Sequence, residues 1–173
     1  MFKDWRISSF NGVLLAAYFI PAWAIVAYNI MIAPVHGLYE RPTVAVALFV
    51  SDHLQMSGIG TVRVAWLLAL GRLTVVAFLA MFVVQFAISR IRRTEASIEA
   101  FGIALLIGSL ISCASMVMAS KVGEIAALKL HATELLMLLG AAIVLLIEHP
   151  AAPRRKPAAE AAPLELPQLA HTH

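Results

Sequence analysis

Four long apolar runs alternate with short polar or proline- and glycine-bearing stretches along this chain. The runs cover about residues 12–32, 62–89, 98–120 and 122–147, and each reaches the ~20 residues that a helix needs to cross a bilayer. The pattern predicts an all-α membrane protein, a four-transmembrane-helix bundle within residues 1–149. In the first run, Pro21 predicts a bend. Ala22-Trp23-Ala24 mimics a signal-peptide cleavage site there, but the apolar run continues to full spanning length, which predicts an uncleaved first helix. The second run is longer than a bilayer requires, so it predicts tilt or a protruding end.

The longest connection, residues 33–60, is broken by Pro34, Gly37 and Pro42 and closed by Ser57, Gly58 and Gly60. Thr43 to Met56 has an apolar core too short to span. A helix lying on the membrane surface as an interfacial cap is the expectation; the β-branched Val44, Val46 and Val50 keep a strand open, and a re-entrant piece is the third option. Residues 89–97 read as a polar turn, and Phe2 and Trp5 place the N-terminal segment at the headgroups. The proline- and alanine-rich tail, residues 150–173, has no periodic apolar face and is expected to be a disordered cytoplasmic tail.

Composition supports the membrane reading. Of 173 residues, 61% are hydrophobic and 13% charged, where a soluble domain carries about 25% charged residues. The net charge of +3 does not point to nucleic acid, because the basic residues flank the apolar runs as topology signals do. Lys3, Arg6, Arg90, Arg92, Arg93, Arg154, Arg155 and Lys156 fall on one side of a four-span chain, against Arg41, Arg63 and Lys121 on the other. That bias predicts both termini in the cytoplasm and, for a bacterial source, the inner membrane. Cys113 is the single cysteine; it excludes a disulfide within the chain and reads as a small buried hydrophobe.

The chemistry gathers in the fourth run, which opens KVGEIAALKLHATELL. Ionisable groups at membrane depth are costly and turn toward other helices, a cavity or a partner. At 100° per residue, Glu124, His131 and Glu134 share an arc of about 80°, with Lys129 near the opposite side. At ~1.5 Å rise per residue, Arg72 lies roughly 10–12 Å below the side reached by residues 33–60, Ser112 roughly 11–12 Å, His131 roughly 13 Å and Glu134 roughly 18 Å. Arg72, Ser112, His131 and Glu134 are therefore expected to meet as an intramembrane polar cluster, with Arg72 and Glu134 as an ion pair. Ala104, Gly108 and Ser112 form a small-xxx-small stripe that lets another helix approach closely.

No Walker, GxSxG, HExxH or phosphate-loop motif occurs, so no catalytic residue is assigned and a non-enzyme is expected. The cysteine pairs of membrane thiol oxidases are lacking, and the first run has no acidic residue of the kind small multidrug transporters carry. His36, Asp52 and His53 have no metal-ligand spacing, so no metal or other cofactor is implied. The leading expectation is an accessory or assembly subunit of a larger membrane complex. Its partners would be the lipid bilayer and other membrane subunits or a second copy. The alternatives are a proton-coupled carrier built on the Arg/His/Glu cluster and a redox subunit binding quinone or haem. Bis-histidine haem is the weaker of these two cofactors, because His131 is the one histidine within a span.

Overall fold

A computed structural model describes residues 7–88 and 95–148. They form six helices: α1 (Ile7–Ile32), α2 (Pro34–Leu38), α3 (Val44–Asp52), α4 (Gly58–Ala87), α5 (Glu95–Val122) and α6 (Ile125–Glu148). Among the described residues there is no strand, and the four longest helices each have the length and apolarity to cross a membrane. The N-terminal segment, the turn through Arg90, Arg92 and Arg93 and the tail from residue 150 lie outside the described residues.

Each long helix buries one stripe at three- and four-residue spacing. On α1 it runs through Gly12, Ala16, Phe19, Trp23, Ala27 and Ile30, and on α4 through Ala65, Ala69, Arg72, Val75, Leu79 and Phe82. The side chains opposite these stripes, such as Leu67, Leu106, Leu110, Leu136 and Ile147, are large, apolar and exposed, as lipid-facing residues are. α1 packs on α4, α4 on α5, α5 on α6, and α6 returns to α1, which closes a four-membered ring. The backbone N–H of Ser8 donates to the Glu148 carboxylate at 3.2 Å, so α1 begins where α6 ends and the two run antiparallel.

Two cores divide the bundle. Near the chain ends, Leu15, Phe19, Leu79, Phe82, Phe101, Leu105 and Leu138 pack as an apolar block, with the Phe82 and Phe101 rings stacked at 4.7 Å. At the other end, α2 and α3 sit across the bundle as a cap. Val46, Ala47 and Val50 of α3 pack on Ala27, Ile30, Ala65 and Ala69, and Ala45 meets Ala119 and Ala127. The Thr43–Met56 segment is thus helical over Val44–Asp52, and neither a strand nor a span. Gly37 makes the cap's close approach possible, because a Cβ there would lie 2.7 Å from the Ile30 backbone.

Two expectations need correction. Cys113 is exposed on α5 and not buried, because the buried stripe of that helix passes through Ser112 and Ser115. Glu124 does not share a helical face with His131 and Glu134. Gly123 takes φ 74° and ends α5, with the Glu124 N–H bonded to the Ala119 carbonyl at 3.0 Å, a Schellman closure. Glu124 therefore stands in the turn, half-buried, and α6 starts one residue later.

Candidate functional site

Among the described residues, five side chains with polar atoms, each at most 5% exposed, come together on the cap side of the apolar block: Trp23 from α1, Arg72 from α4, Ser112 from α5, and His131 and Glu134 from α6. Each of the four long helices contributes, and each residue lies on its helix's buried stripe. On α6 that stripe is Ala127, His131, Glu134, Leu138 and Ala141, so the polar pair takes two positions that leucine or alanine would otherwise fill.

Glu134 is the hub. His131 Nδ1 lies 2.9 Å from Glu134 Oε2, one turn away on the same helix. Trp23 donates its indole Nε1–H to Glu134 Oε1 at 3.0 Å, and the Ser112 hydroxyl lies at a long 3.5 Å from Oε2. A carboxylate accepts and does not donate, so with Glu134 ionised His131 carries its proton on Nδ1, and its Nε2 presents a lone pair. Among the described residues that Nε2 has no hydrogen-bond partner.

Arg72 and Glu134 do not form the expected ion pair; no Arg72–Glu134 contact within 4.0 Å is found. Trp23 stands between them in function. Its ring face lies 5.5 Å from the Arg72 guanidinium carbon while its edge donates to Glu134. A guanidinium over an indole face is attracted by the ring quadrupole, so one side chain serves both charges. Arg72 Nη2 also reaches the Pro42 carbonyl in the cap at 3.5 Å, longer than a good hydrogen bond. Arg72 Nε is buried without a partner.

The other residues singled out from sequence fall elsewhere. Ala104, Gly108 and Ser112 all face inward; a Cβ on Gly108 would meet Leu138 at 3.3 Å and Val75 at 3.7 Å, so the stripe is occupied by α4 and α6 of the same bundle. Lys129 is exposed on the far side of α6. His36, Asp52 and His53 are exposed in the cap, and among the described residues no three His, Cys, Asp or Glu side chains gather as a metal site requires.

Sequence reasoning missed Trp23, which it read only as the centre of a cleavage-site mimic. The signal was present: Trp23 continues the Ala16, Phe19, Ala27, Ile30 stripe and brings to it a ring with a hydrogen-bond donor at mid-helix. It also missed the cap's tie to the site through the Pro42 carbonyl, beside which Thr43 Oγ1 donates to the Gly37 carbonyl at 2.7 Å.

No family model matches this chain, and neither a curated protein nor a solved structure matches it.

Proposed function

We propose that this multi-pass membrane protein is a small proton-coupled carrier. His131 and Glu134 are its proton-binding pair, Trp23 and Ser112 orient the carboxylate, and Arg72 is the fixed positive charge. One observation carries the reading: a histidine bonded to a membrane-buried carboxylate at 2.9 Å has its second ring nitrogen free of any partner among the described residues. A network that serves only to lock four helices is expected to satisfy its buried polar atoms, since a half-satisfied one is less stable than an apolar core. The open Nε2 gives a proton somewhere to go.

Trp23 supplies the test. With Trp5 and Trp66 replaced by Phe, Trp23 is the remaining tryptophan, and its emission senses the carboxylate it is bonded to. Emission from the purified protein should pass through one transition between about pH 4 and 9, and His131→Gln and Glu134→Gln should each abolish it. Flat emission across that range overturns the reading.

The accessory-subunit reading competes with this one. Its structural motive, a small-residue stripe free for a partner helix, is weakened because α4 and α6 already cover that stripe. Native mass spectrometry from gentle detergent separates the two: a stable hetero-complex favours the subunit, a chain free of foreign subunits the carrier. A quinone or haem would show in the absorbance spectrum of the same sample. The lysine and arginine bias supports cytoplasmic termini in a bacterial inner membrane. A reporter active only in the cytoplasm should then work when fused after Lys156, and one active only outside when fused at Ser57.

A further inference from the structure

Two open atoms in the site, and not one, suggest what accompanies the proton. Arg72 Nε and His131 Nε2 are both buried and both lack a hydrogen-bond partner among the described residues. Arg72 Nε–H is a donor at all times. His131 Nε2 is an acceptor while the imidazole is neutral and becomes a donor when it is protonated, because Nδ1–H is already committed to Glu134. Protonation therefore changes the site from one donor and one acceptor to two donors.

The charges follow the same logic. Arg72 and an ionised Glu134 sum to zero. A proton on His131 makes the buried cluster net positive, and an uncompensated charge in an apolar interior is strongly unfavourable. Among the described residues no second carboxylate is bonded to His131 or Arg72, and Glu40, near the Pro42 carbonyl, is already held by Asn29 at 3.1 Å. On α1 the buried group at the site is the Trp23 indole, which carries no charge, and on α5 the buried groups are the hydroxyls of Ser112 and Ser115. On α3 they are Ala45, Val46, Ala47 and Val50, and on α6 Lys129 points away while Glu124 is back in the turn. One monoanion restores neutrality.

We infer that the site binds one small monocarboxylate together with each proton, its oxygens accepting from Arg72 Nε–H and from His131 Nε2–H. The inference rests on the proton-coupled reading and adds the substrate class to it. A carboxylate suits two separate N–H groups because it offers two oxygens. The long contact from Arg72 to the Pro42 carbonyl leaves the guanidinium weakly held on the cap side, so a carboxylate has little to displace there.

The test uses the full-length chain with Trp23 as its only tryptophan, in detergent, with acetate as the probe and chloride as the control. If the anion binds only the protonated form, the pH midpoint of the Trp23 transition rises by about one unit per tenfold increase in acetate above its dissociation constant. Chloride, with no pair of oxygens, should move it by less than half as much. Arg72→Lys keeps the charge but has no Nε–H in that position, and should remove most of the acetate response. Calorimetry in two buffers of different ionisation heat should count about one proton taken up per acetate bound. A transition that ignores acetate, or answers acetate and chloride equally, overturns the monocarboxylate and leaves the proton-binding reading standing. Absence of any transition overturns both. Should Arg72→Lys fail to fold, the acetate and chloride series on the parent chain decides the matter alone.

Discussion

The two halves of the bundle use the same four helices and the same buried stripes, yet they are held together differently. In the half near the chain ends, Leu15, Phe19, Leu79, Phe82, Phe101 and Leu138 fill space with apolar volume. Toward the cap, between that block and the apolar contacts of α3, lies a layer of Trp23, Arg72, Ser112, His131 and Glu134, joined by hydrogen bonds and a cation–π contact and left with two unpartnered atoms. The first half is filled mainly by apolar side chains, although Ser8 and Ser97 are buried there and Gln85 Oε1 is buried without a partner among the described residues; the second gathers its polar groups into one bonded set. That difference separates scaffold from site, and each prediction below breaks one half while reading out the other.

The largest effect is expected from the charges. Glu134→Leu removes the acceptor of Trp23 and His131 and leaves Arg72 charged and uncompensated in the bundle. Breaking such a buried arrangement costs about 3–5 kcal/mol, and Arg72→Leu should cost about as much. The double leucine variant should regain much of the loss, measured as thermal unfolding in detergent, since apolar neighbours accept leucine at both positions. Because Trp23 lies between the two charges, the same cycle in a Trp23→Phe background should show a smaller coupling. Equal coupling in both backgrounds would remove the indole from the network.

In the apolar half, Leu79→Ala opens a cavity beside fully buried neighbours and should cost about 2–5 kcal/mol. It should leave the midpoint of the Trp23 pH transition where it was. A moved midpoint would mean that the halves are coupled and not merely stacked. Gly37→Ala attacks the cap itself. A methyl group 2.7 Å from the Ile30 backbone forces α2 away from α1, with an expected cost of about 1–3 kcal/mol. Amide exchange should quicken in α3 and stay unchanged in Val75 to Phe82.

How much of this was legible follows from what each signal encodes. The four spans were legible because hydropathy over ~20 residues reports lipid contact directly. The inward face of α6 was legible because His131 and Glu134 are three apart, which helical geometry turns into adjacency. The meeting of Arg72, Ser112, His131 and Glu134 at one level came from counting rise per residue, which gives depth but not which helix faces which. That is why a direct Arg72–Glu134 pair was expected where an indole mediates. Glu124 was misplaced because the turn at Gly123, φ 74°, carries over it, so α6 begins only at Ile125 and Glu124 lies outside the register that sets His131 and Glu134. Cys113 was misplaced because nearly every position of α5 is apolar or small, and composition alone then carries no inside or outside. The cap was ambiguous because the nine residues of α3 fit either period.

The smallest expected effect tests whether the cap is a separate part. Asn29, near the end of α1, donates from Nδ2 to both carboxylate oxygens of Glu40 at 3.1 Å, which fastens the chain between α2 and α3 to the bundle. Both residues are half-buried, so water replaces part of what is lost, and Asn29→Ala should cost about 0.5–1.5 kcal/mol. Asn29 lies six residues beyond Trp23 on α1, and its side-chain amide is bonded to Glu40 and to none of the five site residues. The variant should therefore quicken amide exchange in Val44 to Asp52 while leaving Leu79 and its neighbours protected. It should also leave the midpoint of the Trp23 transition unmoved. Glu40→Gln, which keeps one acceptor oxygen, should lie between the parent and Asn29→Ala. If exchange quickens equally in α3 and in the apolar half, the cap and the scaffold open as one unit and the division of the bundle fails. If only the cap responds, the polar layer is roofed by a segment that opens on its own, as access to a buried binding pair requires.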